Sequence, residues 1–244
     1  MNKTGAFVIS GGSKGLGKAI GRAAREQGYP VALIARDEAQ LASAQAAIMA
    51  GAAQGKVSAH IADLTDASQT ERAFAEILAT HGGIQTLINN AATWTGGGSV
   101  LQLSAEDILR SFHLNFFSAF HATKEALRAW EQGGRGQLCI INIGATASLR
   151  GGKNSAAFAV AKGALRSFSQ SLAKEMGPEG VHVAHLVIDG LIDNDRTRSL
   201  NAGVPDDHFM DPASLAAYVV QVSEQERSCW VFESDLRPFN ERWS

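Results

Sequence analysis

Cysteine is scarce in this sequence of 244 residues, with only Cys139 and Cys229. Cys139 sits in an apolar run and Cys229 beside Trp230. Both are expected to be buried thiols rather than a bridge, which fits a reducing, cytoplasmic setting. Tyrosine is equally scarce: Tyr29 and Tyr218 are the whole supply. No long basic run occurs and the formal net charge is -2, so nucleic acid is not an expected partner. Long apolar runs are missing too. The longest, such as VHVAHLVI at 181–188, are strand-sized and carry histidines. A membrane span needs roughly 18 apolar residues. The opening MNKTGAFVIS runs straight into a strand pattern, so no signal peptide is expected. No metal-ligand set is expected.

What is present is regular alternation. Apolar residues make up 45% of the chain, enough for an ordinary core. Short apolar runs predict strands at 6–10, 31–35, 57–61, 86–89, 137–143 and 181–188, with a possible seventh at 229–233. Helical patterns fall at 15–28, 37–49, 68–80, 104–130, 155–176 and 211–222. Several carry their own punctuation. Thr65 or Asp66 can cap the third, SAED opens the fourth, and Pro212 starts the last. The strands are continuous apolar runs, which means burial on both faces, as in a parallel sheet covered by helices. The expectation is a doubly wound α/β fold: a mostly parallel sheet of about seven strands with helices on both faces. No repeat or linker divides residues 1–244, so one domain is expected. Its longest loop, 189–210, is polar and late, and loops of that length are usually functional or mobile.

After the first strand comes SGGSKGLG at 10–17. Gly11, Gly15 and Gly17 allow a tight turn and a close approach of backbone to a pyrophosphate. The next helix points its free N–H groups and positive dipole at that anion. A glycine-rich turn without a ligand is the alternative for this loop taken alone. Its place between a first strand and a first helix favours the anion.

The spacing G-x-x-x-G-x-G resembles that of the short-chain dehydrogenase/reductase family, and more of the family's pattern follows in order. Asp63 in HIADLTD, Asn89-Asn90-Ala91-Ala92, Asn115 in HLNFF and Lys162 all fall at matching places, so the resemblance spans Ala6 to about Ile192. It implies a Rossmann-type NADP(H)-binding domain. Asp63 would contact the adenine, Asn115 would be structural and catalytic, and Lys162 would hold the ribose. Ser13, Leu16, Leu64, Asn90, Ala91, Gly190 and Ile192 complete the implied cofactor contacts, with Gly11, Gly15 and Gly17. A carboxylate at the end of the second strand would select NAD(H). Here Ala35 is followed by Arg36, and Lys14 lies in the glycine loop. Together they can clamp the 2′-phosphate of NADP(H); the alternative is two solvated charges.

The family's serine and tyrosine are missing. Family spacing places Ala145 at the serine position, and Phe158 stands four residues before Lys162, in place of the tyrosine. The Pro-Gly after the sixth strand is changed to Asp189-Gly190. The pattern resembles a divergent branch that carries phenylalanine there. A positioned general acid contributes typically about 10²- to 10⁴-fold, so a slow enzyme survives only if another group gives the proton. Lys162 is the first candidate; holding the ribose is its plainer role. Thr146 and Ser148 are hydroxyls in the same stretch, or simple turn residues. Asp189 and His185 are further options, or a cap and a strand histidine.

Two main readings follow. One is an NADP(H)-dependent oxidoreductase acting on a carbonyl or alcohol compound. The other is a catalytically silent NADP(H)-binding sensor or partner subunit, with a non-redox cofactor-bound enzyme as a third. The substrate wall is expected from 93–100, 148–154 and 191–210. Arg196 and Arg198 in the last stretch are either contacts for an acidic substrate or solvated charges. The resemblance also implies a homodimer or homotetramer through helices 104–130 and 155–176. Phe239 and Trp243, in the tail 234–244, either join that interface or cover the sheet's edge.

Overall fold

The structure is a computed structural model that describes residues 5–53, 55–95 and 97–241. Strand β1 (Ala6–Ser10) leads into α1 (Gly15–Glu26), β2 (Val31–Ala35), α2 (Glu38–Met49), β3 (Val57–Ile61), α3 (Ala67–His81) and β4 (Ile84–Asn89). Helix α4 (Ala105–Phe112) passes through a π turn (His113–Phe117) into α5 (Ser118–Gln132). Then come β5 (Leu138–Ala145), α6 (Ala156–Met176), β6 (Val181–Ile188), β7 (Leu191–Ile192), α7 (Asp195–Leu200), β8 (Phe209–Met210), α8 (Pro212–Ser223) and β9 (Glu233–Leu236). The main sheet has seven strands in the order β3-β2-β1-β4-β5-β6-β9, and neighbouring strands pair in parallel throughout. The doubly wound α/β expectation therefore holds.

Both faces of the sheet are covered. Within β1, Phe7 and Ile9 join one core with Ile20, Leu33 and Val219. Ala6 and Val8 join the other with Phe74, Ala122 and Leu172. This period of two is the ordinary strand geometry. The chain winds outward from β1 in both directions, so the crevice between β1 and β4 is the topological switch point where α/β sheets bind ligands. Among the described residues no helix is long and apolar enough to cross a membrane.

The structure corrects the sequence reading in four places. The expected helix at 104–130 is interrupted, because the Asn115 amide donates to the Ser111 carbonyl (2.9 Å) and to the Thr93 carbonyl (3.1 Å). The side chain competes for the carbonyl four residues back, and the ladder widens to a π turn. The seventh strand lies at Glu233–Leu236, not 229–233. Arg166 fixes it there with a bidentate grip on Glu233 (2.5 and 2.9 Å). Cys229 is exposed, whereas Cys139 is buried as expected. The loop 189–210 holds α7 and a small ladder between β7 and β8. Phe239 is exposed in the tail, and Trp243 lies outside the described residues.

Candidate active site

The glycine loop leaves β1 at the switch point. Gly11 adopts φ +66°, a left-handed conformation that favours glycine. A Cβ on Gly17 would fall 2.3 Å from the Gly11 carbonyl oxygen, so only glycine lets α1 start this close to the loop. Helix α1 begins at Gly15, and its N-cap residue Lys14 gives no side-chain cap; no acid lies in its first turn. By contrast, Asp37, Asp66, Ser104 and Asp211 cap α2, α3, α4 and α8. The N–H groups of α1 therefore remain available for an anion. Asn90 stitches the loop to β4, donating to the carbonyls of Ser10 (3.1 Å) and Gly11 (3.3 Å).

A cleft of about 880 Å³ runs along the carboxyl ends of the strands. It brings together Gly11, Ser13, Lys14 and Leu16, then Arg36, Asp63 and Leu64, then Asn90 and Ala91, and finally Lys162, Gly190 and Ile192. Gly15 faces a separate groove between α1 and α8. Arg36 is largely exposed and stands 3.7 Å from Asp63. The Asp63 carboxylate also accepts from the Thr65 N–H (3.0 Å) and hydroxyl (2.8 Å), so it holds the turn after β3.

At the other end, Lys162 comes from α6 and is buried. Its ammonium donates to the Ile143 carbonyl at 2.8 Å, and burial pushes its pKa down to about 8. Ala145 and the Phe158 ring line the cleft beside it, with the Lys162 Nζ 5.8 Å from the ring centroid. Neither neighbour has a proton to give. The hydroxyls of Thr146 and Ser148 turn inward. Thr146 donates to Asp189, and Ser148 accepts from the Ala145 N–H at 3.1 Å. Asp189 is buried and faces Arg237 (3.1 Å) and Arg150 (3.6 Å). Asn115 is buried below, with its amide engaged by Ser111 and both backbone groups of Thr93. The two tyrosines are committed elsewhere. Tyr29 donates to Glu224 (2.8 Å), and the Tyr218 hydroxyl pairs with Ser234 (2.7 Å).

A model of the short chain dehydrogenase family matches residues 6–204. The chain belongs to this family. It is 30% identical over 222 residues to a Bos taurus 3-oxoacyl-[acyl-carrier-protein] reductase, with 89% of this chain and 90% of the relative covered. A solved metagenomic short-chain oxidoreductase in complex with NADP superposes with a TM-score of 0.82 at 24% identity, covering 98% of this chain and 99% of that one. An NADPH-bound short chain oxidoreductase of Pseudomonas aeruginosa PAO1, described as containing an atypical catalytic center, gives a TM-score of 0.87 at 22% identity, covering 98% of each chain.

The loop that walls the cleft of this short-chain dehydrogenase family member separates its two arginines. Arg198 grips Asp193 (2.5 and 2.8 Å) and Asp206 (2.6 Å), and it lies 4.5 Å over the Phe209 ring. It clamps the loop. Arg196 lines the cleft and forms no ion pair among the described residues. Leu114 and Ser118 also line the cleft, and sequence reasoning missed both. They stand in and beside the π turn, which an unbroken helical pattern hides.

His185 sits under the site, fully buried on β6. Its Nδ1 is 3.4 Å from the Ser169 hydroxyl. Burial, then the Lys162 and Arg166 charges, push its pKa down to about 4, opposed by Glu233. Between pH 6.5 and about 4 the unfolded chain protonates this histidine and the folded chain does not. Stability is therefore present above pH 6.5 and is lost as pH falls toward 4. His81, pushed down to about 4 chiefly by burial, adds to the same window. Urea unfolding at neutral pH and near pH 4.5 should show a drop that shrinks in His185→Asn by on the order of 2 kcal/mol.

Proposed function

We propose that the protein is an NADP(H)-dependent oxidoreductase that interconverts a carbonyl compound and its alcohol, with Lys162 rather than a phenol as the proton carrier. The observation that carries this is the buried Lys162 ammonium beside Ala145 and Phe158, with its pKa drawn down to about 8. The cofactor half fits the dinucleotide. The uncapped α1 terminus and the close approach at Gly17 suit a pyrophosphate, and Lys14 and Arg36 suit a 2′-phosphate. When bound, NADP(H) supplies or accepts the hydride. Of the three Lys162 N–H groups, one holds the Ile143 carbonyl. The others serve the ribose and the substrate oxygen. In reduction, Lys162 gives a proton to the oxygen as the carbonyl becomes an alcohol, and the neutral amine regains one from water.

Self-association is proposed through residues 104–130 and 155–176, where Leu109 and Val160 are exposed. Two observations favour a second reading, a silent NADP(H)-binding protein: Ala145 and Phe158 offer no proton, and the Thr146 and Ser148 hydroxyls are engaged within the protein. A carbonyl panel at high enzyme concentration, followed by NADPH absorbance, separates the readings. The redox reading expects slow NADPH consumption that weakens as pH rises past about 8, where the acid form of Lys162 is lost. NADPH binding with no consumption for any carbonyl would leave the silent reading.

A further inference from the structure

Trp94, next in sequence to the cleft-lining Thr93, packs in an aromatic corner against Phe158, which lines the cleft near Lys162. Their ring centroids are 5.3 Å apart, edge to face at 69°. Phe158 lines the cleft, and Trp94 keeps 45% of its surface exposed, a large share for so apolar a side chain. The corner is built rather than incidental. The Asn115 amide oxygen accepts from the Thr93 N–H at 2.8 Å, immediately before Trp94. Across from it, the Gly98 N–H donates to the Asn154 carbonyl at 3.2 Å. Asn154 takes the left-handed φ of +61° to present that carbonyl. A Cβ on Gly97 would fall 2.5 Å from the same carbonyl and 3.1 Å from the Trp94 Cζ2. Two loops are thus locked together with the indole held against the phenylalanine ring.

We infer that the substrate carries an aromatic ring next to its carbonyl carbon: an aryl ketone or aldehyde, or a benzylic alcohol in the reverse direction. This inference rests on the proposed redox reading. The exposed indole offers a third ring the edge or face that completes an edge-to-face cluster. A carbonyl attached to that ring then reaches toward the Lys162 ammonium, 5.8 Å from the Phe158 centroid. An alicyclic ring of equal size fills the same space but lacks the quadrupole that aromatic pairs use. The difference amounts to about two- to tenfold in affinity for each ring pair formed.

The test compares acetophenone with cyclohexyl methyl ketone, which share one heavy-atom skeleton, on the NADPH-loaded protein. Dissociation constants come from ligand-observed NMR titration. Acetophenone should bind about fivefold or more tightly. Trp94→Leu should erase the preference and Trp94→Phe should keep most of it. Equal binding of the two ketones, a preference that survives Trp94→Leu, or no binding of either overturns the inference. NADPH titration of the same samples separates the failures. Loss of NADPH binding removes the oxidoreductase reading itself, whereas NADPH binding with equal ketones removes only the aromatic substrate.

Discussion

Lys162→Ala is expected to lower turnover by at least about 10²-fold while leaving the protein folded. Two opposing changes explain the unaltered stability. Keeping the ammonium charged in its buried site, where the pKa is drawn from 10.5 to about 8, costs on the order of 3 kcal/mol at neutral pH. Alanine removes that cost. It also leaves the Ile143 carbonyl without its donor, a loss of about 1–3 kcal/mol. The two nearly offset each other, so melting temperature should move little while chemistry fails. Lys162→Arg sharpens the test. Guanidinium keeps the charge and the hydrogen bonds but does not release a proton. It should bind cofactor and still fail to turn over. Unchanged turnover in Lys162→Ala would remove Lys162 from the proton path.

The double variant Ala145→Ser with Phe158→Tyr is expected to raise turnover of simple ketones by about 10²-fold or more. The backbone positions are already in place. Ala145 ends β5 at the cleft, and the Phe158 ring lines it near the Lys162 Nζ. A phenol at 158 would sit beside a buried cation, which draws its pKa down toward the working range. Initial rates of the variant and parent across pH provide the check. A gain with a new, lower pH dependence means that the site had lost only its acid. No gain means that the pocket is shaped around the Trp94–Phe158 pair and rejects simple ketones for another reason.

The fold was legible because its signals are local. Strands such as VALIA at 31–35 are apolar throughout, and the caps Asp66 and Ser104 and the first-turn Pro212 mark helix starts in the chain itself. The glycine loop was legible for the same reason. What stayed hidden depends on distant partners. The π turn follows from Asn115 meeting Thr93, 22 residues away in sequence. The last strand follows from Glu233 meeting Arg166 on α6, although Trp230, Val231 and Phe232 look more strand-like. Sequence showed two equal arginines at 196 and 198; only the fold sets Arg198 between Asp193 and Asp206 and leaves Arg196 at the cleft. Thr146 and Ser148 were visible as hydroxyls, but their direction is set by Asp189 and the Ala145 N–H.

The most direct test is a fluorescence titration of the purified protein with NADPH and NADH, repeated on Arg36→Ala. NADPH should bind at least about tenfold more tightly than NADH, because charge-assisted hydrogen bonds from Lys14 and Arg36 reach only the 2′-phosphate. Arg36→Ala should narrow that gap by weakening NADPH alone, while the exposed position of Arg36 leaves the fold intact. No binding of either would contradict a cofactor site in this cleft and with it the oxidoreductase built upon it, and equal affinities would contradict the roles of Lys14 and Arg36 as a 2′-phosphate clamp.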